Sequence, residues 1–441
     1  MSLATHPPRA EFRGVRPLPE PAGDRGVAID DALNSSAAAQ TRRHVQRRTI
    51  RALICSQILA GAGLSSGVVV GALLAEDMLD SKRWAGITSA LFTLGAAVAS
   101  LLIGRLSQRG GRRSGLSAGY AIGALGALGI VVAILLNNAA LLLISFLPYG
   151  AGTATNLQAR YAGADLADPA HRGRALSIVL LATTGGTVLG PNLTEVTGSA
   201  AESVGLPALS GPFLLSAVAY GAAALLLTAL LRPDPLLTAR ALAAQPDSGP
   251  AQLGGNGPRG GLALGAGAMV LTQLVMVAVM TMTPIHMRDH GHGLAETGLV
   301  IAVHIACMYL PSPLTGALAD KLGRRAVIAA GGVVLLAAGL VAALVPEHSV
   351  AGLAVGLGLL GLGWNLGLLG GTAMVTDAAP LANRARLQGR VDLAVSLAGA
   401  TAGLSSGLVM ASTSYSALAI GGGVLAVCVL PFLIRIGQAG E

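Results

Sequence analysis

Long apolar runs separated by short polar loops limit this chain more than any other feature of its sequence. Twelve stretches are apolar over about 20 residues each, and the only Asp, Glu, Lys or Arg within them is Asp392. A helix of that length, rising ~1.5 Å per residue, crosses a hydrocarbon core of ~30 Å. The stretches lie at 52–75, 85–104, 115–136, 139–159, 175–194, 211–231, 262–285, 297–318, 326–345, 350–373, 391–410 and 415–434. The sequence therefore predicts an all-α membrane protein with twelve transmembrane helices.

The composition agrees with a lipid environment. Hydrophobic residues make up 53% of the chain and charged residues 11%, and the mean hydropathy of +0.67 lies outside the range of soluble domains. A membrane barrel would instead show alternating segments of roughly ten residues, which the sequence lacks. Cys55, Cys307 and Cys428 lie far apart in apolar runs, so neither a disulfide framework nor a metal-binding cysteine motif is expected.

The basic residues predict the orientation of the chain. Lys and Arg in short loops are retained on the cytoplasmic side. If the N-terminus is inside, only Lys82, Arg83 and Arg288 of the 29 basic residues fall in outer loops. We therefore expect a multi-pass protein of a bacterial-type cytoplasmic (inner) membrane with both termini in the cytoplasm. Basic residues between apolar runs, rather than on one face, do not indicate a nucleic-acid partner.

The apolar runs also predict the domain organisation. Residues 1–50 are rich in Pro, Ala and Arg and are expected to form a disordered cytoplasmic tail without a cleavable signal peptide. Residues 51–231 and 262–435 would form two six-helix halves. The stretch 232–261, with several Pro and Gly residues, is expected to be a flexible cytoplasmic linker, and 436–441 a short cytoplasmic tail.

Two similar loops indicate an internal duplication. The loop Gly104–Arg113 reads GRLSQRGGRR, and Gly316–Arg325 reads GALADKLGRR, 212 residues further on. The same offset relates three further pairs in the loops after the fourth and tenth runs, namely Asp165 and Asp377, Arg172 and Arg384, and Arg174 and Arg386. Two parallel halves related by an axis along the membrane normal are an architecture in which the halves rock around a central site.

These loops resemble the signature GxLaDrxGRr of the major facilitator superfamily, which Gly316–Arg325 meets closely and the first copy meets except at Gln108. The resemblance implies a secondary transporter whose loop charges clamp the cytoplasmic faces together, with Gln108 weakening one clamp. The implied gating residues are Gly104, Arg105, Arg109, Arg112, Arg113, Gly316, Asp320, Lys321, Arg324 and Arg325. The alternative is that these arginines only anchor the topology. Gly186, Gly190 and Pro191 in the fifth run are similar to part of the GxxxGP element of the same superfamily.

Methionine and histidine are concentrated in one predicted hairpin. Six of ten Met and four of eight His lie between residues 269 and 308. Met276 and Met280 share one helix face, as do His304 and Met308, and both motifs lie ~10 Å from the predicted outer helix ends. Thioether and imidazole groups are soft or borderline ligands, and thioethers select Cu(I) over hard cations.

Each of these residues also has a simpler interpretation. Met in a helix is more often adaptable packing than a ligand, and an intramembrane histidine such as His304 can equally relay protons or make a hydrogen bond. The outer loop holds His286, Met287, His290 and His292. These residues could capture metal at the mouth, although exposed His is usually solvated.

The pairing of MxxxM with HxxxM resembles the CcoA-like copper importer branch of the same superfamily. That resemblance implies copper import with Met276, Met280, His304 and Met308 as ligands, so copper would be the substrate and no cofactor is expected. The branch includes relatives linked to riboflavin uptake, which leaves an organic solute open.

Other function classes fit less well. A proton-driven drug exporter usually needs an acid within the membrane, and Asp392, at a helix end, is the only candidate. A metal sensor would need a soluble signalling domain, which neither tail indicates. No HExxH, GxSxG or P-loop pattern occurs, so an enzyme is not expected. We expect a monomer whose partners are the lipid bilayer and a small solute or metal ion.

Overall fold

A computed structural model of the protein describes residues 39–64, 74, 78, 85–244 and 259–438. Within these ranges the regular elements are helices and no strand occurs. Helix α1 comprises 39–64, and α2 to α13 are Ala85–Leu135, Ala139–Ala164, Arg172–Ser203, Gly211–Leu230, Pro235–Ala243, Arg259–Asp289, Leu294–Tyr309, Ser312–Lys321, Arg324–Leu344, Val350–Ala378, Arg384–Ser412 and Tyr415–Gln438. The predicted all-α membrane fold with twelve transmembrane helices in two halves is confirmed. Eight of the described helical stretches are long and apolar enough to cross a membrane.

Two predicted spans, 85–104 and 115–136, are joined in the helical stretch α2, which changes direction at Gly111. Gly111 has a φ of 86°, a left-handed conformation that glycine adopts without strain. A side chain there would also collide with the carboxylate of Asp234. The turn therefore separates the second membrane crossing from the third.

A single predicted span, 297–318, is divided into α8 and α9. The two helices are separated by a turn at Leu310–Pro311, and Pro313 follows in the first turn of α9. Proline lacks the backbone N–H that a helix interior requires, so the break follows from the sequence YLPSP. The two helices together still form one candidate span, Ala295–Lys321.

Each half has its own core. In the N-terminal half, the ring of Tyr149 lies 5.5 Å from Phe92, 5.6 Å from Phe213 and 5.9 Å from Tyr220, measured between centroids. The C-terminal core is aliphatic and rich in methionine. Its buried members include Met269, Met276, Met282, Met287 and Met308.

The outer surface of the helices is apolar. Leu225, Leu344, Leu404 and Leu408 are 72–76% exposed, a large apolar area for a surface in contact with water. Helices satisfy their own backbone hydrogen bonds, so such a surface is stable in lipid. These leucines therefore mark lipid-facing positions.

Helix α1 begins at residue 39, inside the segment expected to be a disordered tail. Val45 is buried in a small cluster with Leu166 and Ala239. The Arg42 guanidinium donates to the Leu166 carbonyl at 2.8 Å, and the Gln46 amide donates to the Gly163 carbonyl at 2.6 Å. These contacts order the helix before the apolar run begins. Residues 1–38 lie outside the described residues, so the disorder expected there stays a prediction.

The linker expected to be flexible contains helix α6. The carboxylate of Asp234 accepts hydrogen bonds from the N–H groups of Leu236 and Leu237 at 3.0 and 3.1 Å, and Pro235 occupies the first helical position. Both features favour the start of a helix. Residues 245–258 of the linker lie outside the described residues.

Candidate functional site between the two halves

Asp320 in α9 caps a helix of the opposite half. Its carboxylate accepts hydrogen bonds from the backbone N–H groups of Gly173 and Arg174, at 2.9 and 3.0 Å, in the first turn of α4. The first N–H groups of a helix have no partner within the helix and carry partial positive charge. The contact therefore joins the halves by a charge-assisted bond.

Gln108 makes the equivalent contact in the first copy of the repeat. Its side-chain carbonyl accepts a hydrogen bond from the N–H of Ala385 at 2.9 Å, at the start of α12, and its amide donates to the Ala382 carbonyl at 2.6 Å. The sequence predicts a weakened clamp at this position. The structure shows that the hydrogen bond remains while the negative charge is absent, and a neutral bond of this kind is roughly half as strong as a charged one.

Each half also contains a matching ion pair at the loop end. Arg112 Nε lies 2.7 Å from Asp165 in the N-terminal half, and Arg324 Nε lies 3.1 Å from Asp377 in the C-terminal half. Arg112 and Asp165 are fully buried. A buried charge is tolerated only when it is paired and hydrogen-bonded. These arginines therefore have a structural role beyond anchoring topology.

An arginine from the opposite half approaches each of these carboxylates. Arg172 Nη1 lies 2.7 Å from Asp377, and Arg384 Nη1 lies 3.9 Å from Asp165. The pairs found at one sequence offset thus meet in space across the interface of the halves. We refer to these crossed pairs, together with the contacts of Asp320 and Gln108, as the clamp.

The two loop glycines permit close approach of the helices. A Cβ on Gly104 would lie 2.9 Å from the Cα of Gly389 in α12, and one on Gly316 would overlap the carbonyl of Gly173 in α4. Small residues at such crossings let helix backbones touch in membranes. The glycines therefore belong to the contact between the halves.

The remaining predicted gating residues lie at the edge of the clamp. Arg105, Arg109 and Lys321 are exposed, and Arg325 is half-buried. Arg113 acts through its backbone, because its N–H donates to the Asp234 carboxylate at 2.7 Å.

Helix α6 contacts the clamp from the connection between the halves. Arg240 donates to the carbonyl of Gln108 at 3.0 Å and to the carbonyl of Leu381 at 3.3 Å. One residue of the connection therefore binds a loop of each half, a contact that the linker composition did not predict.

A second layer of inter-half contacts lies deeper, around Asp392. Arg160 Nη2 donates to Asp392 Oδ1 at 2.8 Å, and the Tyr161 hydroxyl donates to the same oxygen at 3.2 Å. Arg160 Nε also donates to the Thr372 hydroxyl at 3.2 Å. Asp392 Oδ2 is buried and has no hydrogen-bond partner among the described residues. The cluster therefore joins α3 with α12 through one carboxylate oxygen and α3 with α11 through the Thr372 hydroxyl.

The sequence interpretation missed Arg160. The predicted fourth span ends at residue 159, but α3 continues to Ala164 and carries Arg160 into the interior, where 1% of its side chain is exposed. An intramembrane acid requires a partner, and this rule could have directed the search to Arg160.

Polar and aromatic side chains of the C-terminal half converge near this layer. The Trp364 indole donates to Gln273 Oε1 at 2.8 Å, and the Tyr309 ring meets the Trp364 ring edge-on, with 5.9 Å between centroids. A Cβ on Gly399 would lie 3.1 Å from Gln273 Nε2. Helices α7, α8, α11 and α12 thus meet at one place.

The four ligands implied by the copper-importer resemblance lie in the C-terminal half. Met276 and Met308 are buried in the same core cluster, and Met280 packs against that cluster partly buried. His304 is buried, and its Nδ1 lies 2.8 Å from the Leu357 carbonyl. A carbonyl only accepts, so Nδ1 donates its N–H, and in the neutral form of the ring the lone pair lies at Nε2. Within the described part of the chain, Nε2 has no hydrogen-bond partner.

The outer loop is packed against neighbouring elements. Met287 is fully buried, and the His286 ring stacks on Tyr415 with 4.2 Å between centroids. His290 contacts the His286 carbonyl through Nδ1 and Glu347 through Nε2 at 3.0 Å. His292 also has a partner at each ring nitrogen. Metal capture by this loop would displace these contacts, and it stays a prediction.

The glycines of the fifth run lie in α4. A Cβ on Gly186 would lie 2.6 Å from the backbone nitrogen of Ala62 in α1, so α1 and α4 pack at backbone distance there. Gly190 and Pro191 lie in the same helix, within a stretch whose side chains are outside the described part.

Comparison with known proteins agrees with this architecture. The model of the Major Facilitator Superfamily matches residues 53–257 and 264–439. The uncharacterized MFS-type transporter YddS of Bacillus subtilis is 51% identical over 401 residues, covering 90% of this chain and 92% of that protein. The riboflavin transporter RfnT of Brucella anthropi is 29% identical over 407 residues, covering 89% and 97%.

Solved structures share the fold at low identity. The proton:xylose symporter XylE is similar with a TM-score of 0.70 at 15% identity, covering 89% of this chain and 96% of that one. The family model spans nearly the whole chain and both loops of the repeat. The chain therefore belongs to the Major Facilitator Superfamily and is a multi-pass membrane protein of the transporter class.

Proposed function

We propose that this transporter moves a small aromatic organic solute of the flavin class by alternating access. The observation that carries the proposal is the convergence of Trp364, Gln273 and Tyr309, with Tyr309 within electrostatic range of Arg160. Solute sites are concave, largely apolar and aromatic, with a few polar groups that fix orientation. Aromatic faces with a hydrogen-bonding amide suit a planar heteroaromatic ring.

The contacts between the halves support the alternating-access part of the proposal. The two halves are held together at the basic-loop end by Asp320, by Gln108 and by the crossed Arg–Asp pairs. The cluster around Arg160 and Asp392 lies deeper in the helix bundle than this clamp. Breaking the clamp would open the central site toward the basic-loop side. The similarity to RfnT, named as a riboflavin transporter, favours the flavin class.

Copper is the second candidate, and the geometry of His304 favours it. Metal-ligating histidines donate one ring N–H to a carbonyl or carboxylate and leave the other nitrogen for the metal. His304 has this arrangement with the Leu357 carbonyl, on the same helix as Met308. Thioether sulfur would supply soft ligands for Cu(I). The ion would be cargo.

Uptake by the purified full-length protein in vesicles separates the two candidates. Labelled riboflavin and Cu(I) are offered in parallel to wild type, Trp364→Leu, Gln273→Met, Met276→Leu and His304→Leu. For a flavin solute, Trp364→Leu and Gln273→Met reduce riboflavin uptake about tenfold, the loss expected for one aromatic or hydrogen-bond contact. Met276→Leu and His304→Leu retain it.

The opposite pattern identifies copper as the solute. If Cu(I) enters and only Met276→Leu and His304→Leu abolish its entry, the flavin proposal is wrong. Each pair of variants is the folding control for the other, because both pairs lie in the same helical half. Entry of neither solute into vesicles containing folded wild-type protein would reject both assignments.

A further inference from the structure

A cavity of about 280 Å³ lies outside the proposed solute pathway, at the basic-loop end of the N-terminal half. It is enclosed by α1, the connection between α3 and α4, and the first turns of α4. Its polar wall consists of Arg42, Arg43, Gln46, Asp168, His171 and Arg174. Its apolar wall includes Ile50, Leu166, Ala175 and Ile178.

The cavity has an excess of positive charge. Arg42 already has partners, since its guanidinium lies 2.8 Å from Asp168 and donates to the Leu166 carbonyl. Of the described residues that line the cavity, Asp168 is the only acid. Among the described residues, the guanidinium groups of Arg43 and Arg174 have no ion-pair or hydrogen-bond partner. Two cationic groups therefore face the cavity without a counter-ion from the described chain.

The position of the cavity matches the boundary between hydrocarbon and headgroups. Its apolar wall is formed by Ile50 and Ile178, and the apolar runs of the same two helices begin at residues 52 and 175. Five arginines precede the first run within ten residues, at 42, 43, 47, 48 and 51. Basic segments directly beside a membrane helix, and basic pockets between such helices, bind anionic lipid headgroups.

We propose that this cavity binds the phosphate headgroup of an anionic glycerophospholipid, with Arg43 and Arg174 holding the phosphate and the Ile50–Ile178 wall contacting the acyl region. A lipid fits better than a free anion because the charged and apolar walls adjoin in the order that a phospholipid presents its groups.

The site also lies next to the clamp between the halves. The backbone N–H of Arg174 donates to Asp320 at 3.0 Å, and the Pro169 carbonyl accepts from Arg324 at 2.7 Å. A headgroup bound to the Arg174 side chain would hold the start of α4 where Asp320 docks. Lipid binding therefore stabilises the state in which the basic-loop ends are joined.

Native mass spectrometry and lipid titration of the purified full-length protein test the proposal. The cavity variant is Arg43→Gln/Arg174→Gln. The control is Arg386→Gln/Arg390→Gln, which removes the repeat counterpart of Arg174 and a second exposed arginine of α12. Each basic residue near an anionic surface is worth about fivefold in affinity. The cavity variant should bind phosphatidylglycerol about thirtyfold more weakly than wild type, and the control should bind it like wild type.

Three outcomes would overturn the assignment. Equal retention of anionic lipid in the cavity variant and the control would show that the site is not specific. Equal binding of phosphatidylethanolamine and phosphatidylglycerol would remove the role of net headgroup charge. Protection from thermal unfolding by inorganic phosphate equal to that by phosphatidylglycerol would show that the cavity binds a free anion. Thermal unfolding of both variants verifies that they are folded.

Discussion

The side chains of Arg160 and Asp392 form a deeply buried link between the halves. Their charged atoms are 2.8 Å apart, and 1% and 5% of the two side chains are exposed. Removing one partner of such a pair costs about 3–5 kcal/mol, because the other charge stays buried without compensation. We therefore expect Arg160→Met and Asp392→Asn each to destabilise the protein by about that amount in detergent.

The double variant should lose less than the sum of the two single losses, with a coupling of about 0.5–3 kcal/mol, because no uncompensated charge remains. Chemical unfolding of wild type, the two single variants and the double variant measures this coupling. Arg390→Met, at an exposed position of the same helix α12, should change stability by less than about 0.5 kcal/mol. Additive losses would mean that the two charges do not depend on each other in the folded protein.

The sequence showed one member of this pair and hid the other. Asp392 is visible as the single acid in an apolar run, whereas Arg160 lies one residue beyond the predicted end of its span. Hydropathy fixes the end of a helix only to within a few residues. The buried acid indicates that a partner exists, and the contact across the halves identifies that partner as Arg160.

Among the elements, helix number and the pairing of loops were predictable, and helix breaks were less so. The offset that relates Asp165 to Asp377 reflects duplication, and each carboxylate indeed meets an arginine of both halves. The early start of α1 and the presence of α6 depend on contacts with distant loops. Such contacts leave no periodic signal in the local sequence.

His292 joins two neighbouring segments at the end of the C-terminal half opposite the clamp, namely the start of α8 and the loop before α11. Its Nε2 donates to the Glu347 carbonyl at 2.8 Å and its Nδ1 lies 3.1 Å from the Glu296 carboxylate. Only the imidazolium has two N–H groups to donate. The hydrogen bond to the Glu347 carbonyl, and to a smaller extent the contact with Glu296, raise the pKa of His292 above its usual value of ~6.5.

The raised pKa makes this contact sensitive to pH. The group binds its proton more tightly in the folded state, so its stabilisation is complete below about pH 6.5 and is lost as the pH rises through the higher folded pKa. Hydrogen exchange of residues 346–350, corrected for intrinsic rates, should therefore accelerate with rising pH in wild type. His292→Gln should remove this dependence, and an identical pH profile in both proteins would contradict the role of His292.

For the molecule as a whole, the bilayer makes the fold predictable and leaves the solute open. Every span must be long, apolar and internally hydrogen-bonded, so the apolar runs along the sequence reveal the number of crossings. The proposed solute site depends instead on where side chains of α7, α8, α11 and α12 meet. Met276 illustrates why the solute is difficult to predict from the sequence, because a methionine that packs and a methionine that binds copper have the same sequence pattern.

The orientation of the molecule follows from its charges and can be tested directly. The clamp places Arg112, Arg172, Arg324 and Arg384 at one end of the bundle. Basic loops are retained in the cytoplasm, so this end should face inward. A phosphatase that is active only outside the membrane, fused after residue 78, should be active, and the same enzyme fused after residue 244 should be inactive. Activity at residue 244 alone would invert the molecule and place the clamp on the outer face.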